Sequence, residues 1–95
     1  MIKARALGYI PLTMPTVLVR NGFRFVINTD DHEPAHVHVY KGGKVVLINL
    51  GGDDVKPYVR KVRRMRKPDV KKALIIAIEH QRYLLNRWEE IHSDD

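Results

Sequence analysis

The 95-residue chain has no cysteine, which excludes a disulfide framework, a thiolate zinc centre and a cysteine nucleophile. No apolar run approaches the roughly 18 residues needed to cross a bilayer. The N-terminal stretch Met1–Ile10 carries early positive charges on a broken apolar segment, so a secretory signal is not expected either. With neither feature, the expected location is the cytoplasm and no membrane partner is expected. Aromatic residues are few, one Trp, two Phe and four Tyr, and none interleaves with the main basic run, so base stacking along a single strand finds little support. Acidic residues are the scarcer charge, 11 Asp and Glu against 17 Lys and Arg, leaving a formal net charge of +6. A surplus of that size favours nucleic acid or another polyanion as partner. The chain also lacks repeats and low-complexity tracts.

What is present is unevenly placed. Three of the five histidines fall within the seven residues 32–38, beside Asp30, Asp31 and Glu33. Asp30 to Pro34 is turn chemistry, because Asp side chains bond nearby backbone and Pro34 moves Glu33 out of the helical region. From Ala35 to Tyr40 the period is two. His36, His38 and Tyr40 therefore share one strand face and Val37 and Val39 the other. Side chains two apart on a strand stand about 6.5–7 Å from each other, which suits two imidazoles acting on one small ligand, phosphate or metal ion.

The other segments build a framework around this strand. Residues 1–13 read as an N-terminal arm, and residues 14–95 as one α+β domain. Thr16–Arg20 is β-branched enough for a strand, and Asn21-Gly22 is a strong two-residue hairpin signal. Phe23–Asn28, the histidine strand and the apolar run Val45–Leu50 continue an antiparallel meander, with a tight turn at 41–44. After Gly51-Gly52-Asp53-Asp54, the stretch Val55–Val62 predicts a short edge strand with Val55, Pro57 and Val59 inward, since Pro57 bars it from a sheet interior. Pro68-Asp69 has the chemistry of a helix start. From there Val70, Ala73, Leu74, Ala77, Ile78, Leu84, Leu85, Trp88 and Ile91 form one helical stripe, interrupted by Gln81. The expected fold is a four- to five-stranded antiparallel meander packed by one long C-terminal helix of about 33 Å. Ile75, Ile76 and Tyr83 lie off the stripe; either that segment is buried more deeply or it offers an interface to a partner protein or a second copy.

Residues 14–91 resemble a small prokaryotic family known as domain of unknown function 4160. The likeness rests on Met14-Pro15-Thr16-Val17-Leu18, on Gly22-Phe23-Arg24-Phe25, on a helix carrying Trp88, and above all on a His-x-Pro-x-His-Val-His-Val core. That core runs here from His32 to Val39, with Ala35 where members more often have a second proline. The resemblance implies a toxin–antitoxin-like gene pair with a small neighbour-encoded protein, and it brings no established activity. Arg60–Lys67 is more basic than the corresponding segment of the family.

Three chemistries are open at this stage. RNA cleavage without metal needs an acid and a base, and histidine serves as either near neutral pH. In that reading His36 and His38 are catalytic, with Tyr40 beyond and Arg24 from the next strand stabilising charge on the phosphate. A divalent metal such as zinc, held by His32, His36, His38 and Asp31, is the alternative. The plain alternative to both is that Asp30 or Asp31 bonds the imidazoles and stitches turn to strand. Separately, Arg60, Lys61, Arg63, Arg64, Arg66 and Lys67 present several charges together, suited either to phosphate contacts or to keeping a sheet edge soluble.

Overall fold

The computed structural model describes residues 15–93, so the arm at 1–13 and Met14 lie outside the described residues. Strands β1 (Thr16–Arg20), β2 (Phe23–Val26), β3 (His36–Lys41), β4 (Lys44–Asn49) and β5 (Tyr58–Arg63) are followed by helices α1 (Lys67–Glu79) and α2 (Gln81–His92). The strands form one antiparallel sheet in sequence order, with β3 at its centre and β5 at one edge. The Asn21-Gly22 turn has positive φ at both residues, 51° and 82°, as a type I′ hairpin requires.

Alternation along each strand sorts the side chains onto two faces. One face carries Phe25, Val37, Val39, Val46 and Ile48, all fully buried, and it packs against Ala73, Ile76, Ala77, Leu84 and Trp88 of the helices. The opposite face carries the histidines. His38 is in register with Val26 and Leu47, His36 with Asn49, and Tyr40 with Arg24 and Val45. The α+β class and the meander thus match the alternation read from the sequence.

Four details depart from that reading. The expected single helix is divided at His80, whose backbone (φ −115°, ψ 22°) leaves the helical region. The break falls where Gln81 interrupted the apolar stripe. Its amide nitrogen donates to the carbonyls of Leu50, Gly52 and Val55 at 2.8, 3.1 and 2.8 Å, and the His80 Nδ1–H donates to the Ile76 carbonyl at 2.9 Å. These bonds anchor the start of α2 to the loop after β4 instead of letting α1 run straight on.

The second concerns Ile76, for which, with Ile75 and Tyr83, deeper burial and an outer interface were both open. It is buried in the core, while Ile78 of the expected stripe is exposed. The small side chains of Ala73 and Ala77 form the line of closest approach, and the flank of α1 that sinks beside them is Ile76's. Ile75 is exposed, and Tyr83 is partly exposed with its hydroxyl donating to the Val17 carbonyl at 2.7 Å. Third, Val55 is exposed and lies before β5 rather than inward within it. Fourth, Met65 joins the core in the link between β5 and α1.

Candidate metal centre on the histidine strand

The turn before β3 places a carboxylate over the histidine face. Asp31 donates its backbone N–H to the Asn28 carbonyl at 3.2 Å, and its Oδ2 accepts the Asn28 N–H at 3.2 Å. The same Oδ2 faces His36 Nε2 at 3.6 Å and His38 Nδ1 at 3.7 Å. All three side chains are mostly shielded from solvent, at 14%, 7% and 17% exposure. Ligating atoms from Asp31, His36 and His38 lie within 4.8 Å of one another.

Those separations are too long for hydrogen bonds. The 3.6 and 3.7 Å distances to Asp31 are close to the edge of about 3.4 Å that a tetrahedron acquires when ligands sit 2.0–2.1 Å from a zinc ion. The protonation pattern points the same way. His36 Nδ1 lies 3.0 Å from the Pro34 carbonyl, and a carbonyl only accepts, so Nδ1 carries the proton. His36 Nε2 then faces the Asp31 carboxylate, where a cation between the two would be held from both sides. An imidazole whose far nitrogen donates to a backbone carbonyl is also the usual support of a metal-ligating histidine. His38 Nδ1 is buried without a hydrogen-bond partner. Burial pushes the His38 pKa below the ordinary histidine value, reinforced by His36 and Arg60 and opposed by Asp31. The neutral form so favoured is the form that ligates a metal.

Around this cluster the face is aromatic and basic. The His38 and Tyr40 rings lie nearly parallel with centroids 6.4 Å apart, and the Arg24 guanidinium sits 5.0 Å from the Tyr40 ring centre. The four residues expected to be catalytic thus share one face. The geometry does not favour His36 as a free acid or base, since its two nitrogens point at Pro34 and Asp31 and the ring abuts Trp88 at 5.4 Å. His32 is exposed and outside the metal-ligating group. The family model for "Domain of unknown function (DUF4160)" matches residues 22–89, a span that holds the whole cluster, all of α1 and most of α2. The chain belongs to this family. Neither a curated protein nor a solved structure matches the chain.

For this family member the basic run is not one patch. Arg60, Lys61 and Arg63 are exposed on the edge strand β5, where Lys61 pairs with Leu47 in the row of His38. Arg60 is near enough to His38 to act on its titration. Arg64 adopts a left-handed backbone (φ 67°), Arg66 precedes α1, and Lys67 opens it. Sequence reasoning missed several supports of the site: the Pro34 carbonyl, Trp88 against His36, the Glu33 carboxylate that accepts the Trp88 indole N–H at 3.2 Å, and Asn49 beside His36. Asn49 alone left a trace in the sequence, as the one polar residue of the run Val45–Leu50.

Proposed function

We propose that the chain is the nucleic-acid-binding component of a toxin–antitoxin-like pair, and that its phosphate contacts centre on a divalent transition metal held by Asp31, His36 and His38. The observation that carries this reading is the pair of imidazole nitrogens facing one Asp31 oxygen at 3.6 and 3.7 Å, one of them buried with no partner. Two histidines and a carboxylate leave coordination positions for water or a phosphate oxygen. Arg24, Arg60 and Lys61 supply cations to the same face and to its edge. Charge-neutralising contacts of this type give sequence-independent, salt-sensitive affinity.

Phosphodiester cleavage fits this site in a metal-dependent form rather than through a free histidine pair. A divalent metal held by Asp31, His36 and His38 would supply a bound water of pKa lowered toward 7 and would polarise a phosphoryl oxygen. That water, its proton passed to solvent, would bond to phosphorus as the bond to the leaving ribose oxygen breaks. Tyr40, next along the face, would give a proton to the leaving oxygen and regain one from solvent.

The test is fluorescence anisotropy with a labelled single-stranded RNA, on protein loaded with zinc or manganese and on protein stripped with a chelator. Tighter binding by the loaded form, abolished in His38→Ala, is expected. Equal binding with and without metal overturns the metal-centred reading, and no binding at low salt overturns the nucleic-acid reading.

A further inference from the structure

A concavity lies beside Trp88 and Asn49, two neighbours of His36. It is a cleft of about 450 Å³ between α2 and the strand ends, lined by residues that include Glu33, Asn49, Tyr58, Leu85, Trp88 and Glu89. None of Asp31, His36 and His38 lines it. Asn49 is the unusual member. It is only 9% exposed, its Nδ2 donates to the Tyr58 hydroxyl at 3.1 Å, and its Oδ1 is buried with no partner. A buried acceptor left unserved is destabilising, so a ligand that donates to it recovers that loss.

The charges on the lining have one sign. Glu33 and Glu89 are acidic, and among the described residues that line the cleft none is a lysine or arginine. Phosphate and carboxylate ligands are therefore disfavoured and a cation is favoured. The remaining surface is mostly apolar, with Leu85, Trp88 and Val55. That selects between the two common organic cations. An ammonium is a compact, strongly hydrated charge, whereas a guanidinium is planar, weakly hydrated and packs against aromatic surfaces with several N–H donors in its plane.

We infer that this cleft binds a guanidinium or amidinium cation, seated against Trp88 and Leu85 and donating to Asn49, Glu33 and Glu89. The source is either a free small guanidine or an arginine side chain of another protein.

Trp88 is the one tryptophan of the chain and lines the cleft, so its fluorescence reports on binding there. The experiment titrates metal-free protein with ethylguanidinium, with propylammonium and with acetyl-arginine amide within a short peptide, at constant ionic strength. The expected result is a saturable change in the millimolar range for the guanidinium compounds, with propylammonium clearly weaker. A tighter peptide assigns the source to a protein side chain, and equal affinities assign it to a small guanidine. Glu89→Gln, at an exposed position, and Asn49→Leu should each weaken the guanidinium response about tenfold, the worth of one hydrogen bond to a charged group. The inference is overturned by a response no different from that to added sodium chloride, by equal affinity for propylammonium, or by undiminished binding in Glu89→Gln. The exposed position of Glu89 keeps the test decisive even if Asn49→Leu fails to fold.

Discussion

His36 and His38 stand two residues apart on one strand, yet they are held very differently. The His36 ring donates its Nδ1–H to the Pro34 carbonyl and lies against the Trp88 indole, while its Nε2 faces Asp31 at 3.6 Å without a hydrogen bond. His38 has a buried nitrogen with no hydrogen bond. Without metal, His36→Ala removes packing and a satisfied bond, while His38→Ala removes an atom that was unserved. The first should cost about 1–3 kcal/mol and the second less than about 1 kcal/mol. Urea unfolding in the presence of a chelator measures both, and a larger loss in His38→Ala contradicts the assignment. The clustering of the two imidazoles was legible from period-two alternation alone. Asp31 stood in the metal set named from the sequence, but what fixes it over Asp30, and what excludes His32, was not legible. Both depend on how the 28–34 turn closes through the reciprocal Asn28–Asp31 bonds, and residue spacing carries no record of that.

At the scale of elements, the break at His80 lets two short helices do what one straight helix does not. α1 lays Ala73, Ile76 and Ala77 on the sheet, and α2 carries Leu84 into the core and Trp88 to the start of β3. Truncating Trp88 to Ala should therefore cost about 3–5 kcal/mol, read as a fall in the thermal midpoint; an unchanged midpoint contradicts the packing of α2. The neighbours Ile75 and Ile76 make a sharper pair. Ile76→Lys buries an unpaired charge and should prevent folding, whereas Ile75→Lys should change stability by no more than about 0.5 kcal/mol. Circular dichroism of the two variants decides this, and equal tolerance would mean that α1 is rotated. The strands were legible because hairpin signals and alternation are local. The helical phase was not, because Leu74 and Ile78 are as apolar as Ile76. Burial was decided by which flank of the alanine line meets the sheet.

Across the whole molecule, only part of the positive charge lies on or beside the histidine face. Arg24 lies over Tyr40, Arg60 and Lys61 lie along the β5 edge, and the rest of the basic run turns the corner into α1. If RNA crosses this face, Arg63→Ala should lower the slope of log affinity against log salt by about one unit. An unchanged slope in anisotropy titrations at several salt concentrations would place Arg63 outside the contact. The central claim, however, is the metal, and the most direct measurement is elemental analysis with zinc titration of the purified protein beside its Asp31→Asn variant. Asn at this position still accepts the Asn28 N–H but no longer offers a carboxylate, so the fold should persist while the ligand set is broken. The account predicts about one equivalent of metal on the wild-type chain, with a rise in thermal midpoint on loading, and neither in Asp31→Asn. A wild-type chain that takes up no metal, or a variant that takes up as much, would contradict it.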